Sequence, residues 1–138
     1  MRVFLDTNIL LDVLLNRVGL AEESEAAIVR AEDLGAGMFV AWHGLATAYY
    51  LLRRGRTEEE ALGEVDRILS WAQVATTGDA AARQARGLGF ADFEDALQAV
   101  AAEACGAAWI VTRDTAGFKN SRVAAISPTE FLSRFPTV

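Results

Sequence analysis

The strongest constraint on this chain is a set of short apolar runs separated by stretches too long to be hairpin turns. Val3-Phe4-Leu5, Met38-Phe39-Val40-Ala41, Trp109-Ile110-Val111-Thr112 and Val123-Ala124-Ala125-Ile126 are four such runs, and Gln73-Val74-Ala75-Thr76 is a weaker fifth. Runs that are apolar throughout, rather than alternating, mark strands covered on both faces. Helical patterns fill the intervals. Residues 9–15 form one, residues 22–34 another that Gly35 and Gly37 stop, and residues 43–54 a third that Gly55 closes. Thr57 with Glu60 makes a capping box opening a helix to about Trp71, and residues 79–87 follow. Residues 92–105 give the clearest pattern, with Leu97, Val100, Ala101 and Ala104 at helical spacing, and Pro128 opens a last helix through Phe131-Leu132. Strands joined by helices pair in parallel. The expected fold is therefore α/β, a three-layer α/β/α sandwich with a central, mainly parallel sheet.

The length, 138 residues, suits one domain over 1–138, and 52% hydrophobic residues with only 2 Pro argue against a disordered chain. Asp6 follows only three apolar residues and no apolar run nears the roughly 20 needed to span a bilayer, so no membrane association and a cytoplasmic protein are expected. The single cysteine, Cys105, rules out an internal disulfide and reads as a small buried hydrophobe. Net charge is -6, the wrong sign for a nucleic-acid binder unless acids are gathered in a site that cations neutralise.

The acids are placed for such a gathering. In an open parallel sheet, ligands sit beyond the carboxyl ends of the strands, near the point where strand order reverses. Asp6 ends the first apolar run and Asp114 lies two residues past the third, while Asp92 and Asp95 share one face at the start of the helix leading into it. Two unit charges about 4 Å apart repel by roughly 4 kcal/mol at an effective dielectric near 20, so such a cluster requires a cation. Oxygen donors without a His or Cys cluster suit Mg²⁺ or Mn²⁺, which polarise a phosphate and acidify water; Arg113 or Lys119 is the alternative source of positive charge. An N-cap role for Asp92, a first-turn place favoured by the helix dipole for Asp95 and a turn into Thr115 for Asp114 explain those three equally well, but Asp6 between two apolar runs has little structural reason to be charged.

Val3-Phe4-Leu5-Asp6-Thr7-Asn8-Ile9-Leu10, Asp92-Phe93-Glu94-Asp95-Ala96-Leu97-Gln98, Ile110-Val111-Thr112-Arg113-Asp114 and Phe118-Lys119-Asn120-Ser121, followed by Ile126-Ser127-Pro128-Thr129-Glu130-Phe131-Leu132, form an ordered set. In that set the chain resembles the PIN domain, in particular the VapC-like toxins of bacterial toxin-antitoxin pairs. The resemblance implies a metal-dependent ribonuclease acting on RNA as a homodimer and held inactive by a cognate antitoxin. It implies Asp6, Asp95 and Asp114 as ligands of Mg²⁺ or Mn²⁺, with Asp92 in support and Thr7 and Asn8 orienting Asp6 and a water. Most members carry a Glu on the helix after the second strand, yet no acid lies between Asp33 and Glu58 here. Ala48 stands in its place, and His43, four residues before Thr47, is a further candidate for the site.

A second reading is a non-catalytic interaction module that pairs through the apolar helix at 45–52, with Trp42, Tyr49 and Tyr50 on its surface. A third, a phosphatase or receiver-like domain, needs a Lys after a late strand, and Lys119 lies in a loop five residues beyond Asp114. The RNA cleaved and the antitoxin's identity lie beyond what these residues specify.

Overall fold

The computed structural model describes residues Met1–Val138. Strands β1 (Arg2–Leu5), β2 (Gly37–Val40), β3 (Gln73–Val74), β4 (Trp109–Val111) and β5 (Ala124–Ile126) form one sheet in the order β3-β2-β1-β4-β5. Every neighbouring pair is parallel. Between them run α1 (Thr7–Leu14), α2 (Ala21–Asp33), α3 (Trp42–Leu52), α4 (Glu58–Trp71), α5 (Asp79–Arg86), α6 (Phe93–Ala104) and α7 (Pro128–Arg134).

Alternate strand residues part to opposite faces, as the pleat demands. Val3, Leu5, Met38, Val40, Val111 and Ile126 join the larger apolar cluster with side chains of α1, α2, α3, α4 and α7. Phe4, Phe39 and Ile110 pack with Ala99, Ala101 and Ala102 of α6 in a second cluster. Ala85 of α5 meets Ala96 and Val100 of α6 behind it. Helices thus cover both faces, the three-layer α/β/α arrangement expected of strands that are apolar throughout. The capping box at Thr57 and Glu60 forms as expected, and a second forms at Ser127 and Glu130. Cys105 is buried. No helix is long and apolar enough to cross a membrane.

Two details depart from the apolar pattern. β3 pairs over only two residues, because after Ala75 donates to the Val40 carbonyl the chain leaves the sheet. Past β4, a short 3₁₀ turn at Thr115–Phe118 replaces open loop and buries Phe118. For function the decisive feature is chain order. From β1 the chain moves outward to β2 and β3, then returns to lay β4 and β5 on the other side, so the reversal lies between β1 and β4.

Candidate metal centre

β1 and β4 are neighbours with Leu5 opposite Val111, so the residues following both strands emerge at one edge. The Asp6 amide donates to the Val111 carbonyl at 3.0 Å, which carries the ladder to the carboxylate itself. Asp6 then caps α1, its Oδ1 accepting from the Asn8 amide at 3.3 Å. The Gln98 amide donates to the same oxygen at 2.9 Å, and the Thr112 hydroxyl donates to Oδ2 at 2.7 Å. Burial raises the pKa of Asp6, the bonds from Thr112, Gln98 and Asn8 oppose that rise, and the charge of Glu94 adds to it.

Opposite Asp6 stands the start of α6. Asp92 caps that helix, accepting from the Asp95 amide at 3.1 Å, and Glu94 and Asp95 occupy its first turn. Asp6, Glu94 and Asp95 each offer an oxygen, and the three lie within 4.8 Å of one another. Asp114 stands outside that trio, capping the 3₁₀ turn through the Gly117 amide at 3.1 Å. It nevertheless borders the same space. A Cβ on Gly117 would fall 2.6 Å from Asp114 Oδ2 and 3.2 Å from Asp95 Oδ2, so only glycine keeps the gap between those carboxylates open.

The acids repel as the sequence predicts. The pKa of Asp95 is pushed up to about 7, first by burial and then by the charges of Asp92, Asp6, Glu94 and Asp114. Neither Arg113 nor Lys119 relieves this, contrary to the alternative that either cation neutralises the cluster. Arg113 turns away to Asp12, 2.6 Å from its Nε, and Lys119 enters no ion pair. The only side chain able to carry positive charge there is His43, whose Nε2 lies 3.4 Å from Glu94 Oε2. A concentrated, under-neutralised set of carboxylate oxygens around a gap fits a hard divalent cation.

Two expected roles take a different form. The Thr7 amide and hydroxyl both donate to Gln98 Oε1, at 2.9 and 3.2 Å, so Thr7 reaches Asp6 only through Gln98. Asn8 contributes its backbone amide while its side chain is exposed. Gly44 of α3 packs so closely on Thr7 that a Cβ there would lie 2.9 Å from the hydroxyl. Ala48 is fully buried in the larger apolar cluster, a place for a methyl and not for a carboxylate, so it is not where a site Glu would stand.

Sequence reasoning missed Glu94, Gln98, Thr112 and Asp12. The fully buried Gln98 donates to Asp6 and to both Glu94 oxygens, at 3.1 and 2.7 Å. A signal for it existed: a lone amide four residues after Glu94 on the apolar stripe of α6. For the other three, only spatial neighbours reveal the role.

A family model described as PIN domain matches residues 2–116. Among solved structures, the chain is similar to one in the crystal structure of VapBC2 from Rickettsia felis bound to a DNA fragment from their promoter. The TM-score is 0.66 at 18% identity, covering 92% of this chain and 98% of that one, a likeness of fold. No curated protein matches the chain.

Proposed function

We propose that this chain, which belongs to the PIN domain family, is a divalent-metal-dependent endoribonuclease and the toxin of a type II toxin-antitoxin pair. One observation carries the reading. At the chain reversal, Asp6, Glu94 and Asp95 bring oxygens within 4.8 Å of one another, with Asp114 alongside and no Lys or Arg to pair with them. Asp6, Asp95 and Asp114 would hold Mg²⁺ or Mn²⁺, and Glu94 supplies from α6 the carboxylate that α3 lacks. The ion supplies charge neutralisation at a phosphate and lowers the pKa of a coordinated water.

The protein's own part is orientation. Thr112 receives the Asp114 amide at 3.0 Å while donating to Asp6, which links two of the carboxylates through one hydroxyl. Gln98, locked by Thr7, can present only its amide hydrogens to Asp6 and Glu94. His43 places Nε2 3.4 Å from Glu94 Oε2, which ties α3 to the start of α6. Asp92 caps α6 and, by its charge, keeps Asp95 eager for a cation or a proton.

A homodimer and an antitoxin partner complete the proposal. Trp42, Leu45, Ala46 and Tyr49 of α3 form an apolar groove with Leu62 and Val65 of α4, a surface suited to protein contact. That groove also favours the interaction-module reading. Cleavage of single-stranded RNA by purified protein with Mn²⁺ decides between them. Asp6→Asn, Asp95→Asn and Asp114→Asn should each nearly abolish it in protein that remains folded, and pairs of substitutions should cost little more than one, because the three act as a unit. Parental cleavage in all three variants would leave the interaction module.

A further inference from the structure

We infer that the Asp12–Arg113 ion pair is a positioning device for the proposed site, fixing the Thr112–Asp114 turn against α1; the inference rests on the metal-site reading above. Asp12 lies six residues after Asp6 on α1 and is fully buried. Arg113 grips it with a two-pronged contact, Nε to Oδ2 at 2.6 Å and the terminal nitrogen to Oδ1 at 3.1 Å. Ser24 of α2 donates to Oδ2 at 3.1 Å, and Arg17 reaches Oδ1 at 3.4 Å, so no acceptor on Asp12 is left open.

The position of Arg113 gives this pair its consequence. On one side is Thr112, bonded to Asp6; on the other is Asp114, whose amide Thr112 accepts. α1 therefore holds the exit of β4 at two points, Asp6 to Thr112 and Asp12 to Arg113. A rigid guanidinium fork fixes orientation as well as distance, which a single point charge does not. Stability alone does not account for the arrangement. Desolvating a buried carboxylate costs several kcal/mol, and replacing a buried ion pair by apolar side chains is often neutral or stabilising. What apolar side chains would lose is the fixed orientation of the turn bearing Asp114, and carboxylate sites tolerate about 0.5 Å of misplacement. Asp12 and Arg113 are positioning residues, acting through Asp114 and not on substrate.

The test uses the double variant Asp12→Leu/Arg113→Met, titrated calorimetrically with Mn²⁺ alone, and compares amide resonances of the metal-free proteins. The variant should melt cooperatively near the parent, bind Mn²⁺ about tenfold more weakly, and show shifted Asp114 and Gly117 resonances while Phe39 and Val40 of β2 keep theirs. Arg113→Lys, which keeps the charge but not the fork, should shift the same resonances and weaken Mn²⁺ in the same direction. Parental affinity and resonances in the double variant overturn the inference. Should the double variant fail to fold, Arg113→Lys decides alone on the same criteria. If the parent itself binds no Mn²⁺, the metal reading fails separately; the resonances then judge positioning, and unmoved Asp114 and Gly117 overturn it.

Discussion

Asp95 and Asp6 are both acids of the same cluster, yet an amide in place of the carboxylate meets different surroundings at each. Asp95 is partly withdrawn from water and repelled by four neighbouring acids, and its folded pKa of about 7 lies above the ordinary carboxylate value. A raised value means that the folded state binds the proton more tightly, so this contribution to stability is full below about pH 4 and is lost as pH rises through about 7. Metal-free protein should therefore melt at progressively lower temperature from about pH 5 to 8, and Asp95→Asn should flatten much of that slope in scanning calorimetry. An identical slope in the variant would refute the assignment. At Asp6, both oxygens already accept hydrogen bonds from Thr112, Gln98 and Asn8. Asp6→Asn turns an amide donor toward one of those donors, and denaturant titration should show a loss of about 1–3 kcal/mol, the cost of an unmet buried hydrogen bond.

At the scale of elements, the site is assembled from helix beginnings. Asp6, Asp92 and Asp114 each cap a helix or a 3₁₀ turn, accepting from Asn8, Asp95 and Gly117 amides. Helix N-termini carry partial positive charge, which lets carboxylates gather there before any ion arrives. Capping and ligation are thus compatible uses of the same side chain. The narrowest point is Gly117, whose backbone is not in the left-handed region, so alanine meets no conformational obstacle. Its methyl would displace the Asp114 carboxylate and press on that of Asp95, both of them ends of side chains and not backbone. Gly117→Ala should leave the melting temperature almost unchanged and weaken Mn²⁺ binding about tenfold by calorimetry, comparable to other losses of ligand orientation. Unchanged affinity would show that the gap is not part of the site.

For the whole molecule, the acidic balance and the metal reading are one question. A cation that binds only the folded chain stabilises it by about 2.7 kcal/mol at a hundredfold excess over its dissociation constant. For a chain of this size that is on the order of 10 °C. Mn²⁺ or Mg²⁺ should raise the melting temperature at pH 7.5 by a shift of this order, chelation should reverse it, and Asp95→Asn should reduce it. A melting curve indifferent to millimolar metal would remove the premise of a metal site. Lowering the pH below 5 should shrink the metal effect as well, because protons and cation compete for the same oxygens.

The layered architecture was legible in the residue pattern. Strands buried on both faces must be apolar throughout, and helices between them must show the helical period, so burial imprints both on the chain whatever the strand order. Asp6 was legible for the same reason, as a charge at the end of an apolar run where burial alone gives no cause for one; Asp95 and Asp114, which ordinary helix-start and turn roles explain equally well, stood out only through the family resemblance. The pattern did not encode partnership. Thr112 looked like the end of a strand, Asp12 like a charge on a helix, Glu94 like a helix-start acid and Arg113 like a cation for the cluster. Each acquires its role from a residue distant in the chain: Thr112 from Asp6, Asp12 from Arg113, Glu94 from Asp6 and His43. Hydrogen bonds and ion pairs act over a few ångströms, and only the strand order, with β4 returning beside β1, decides which residues come that close.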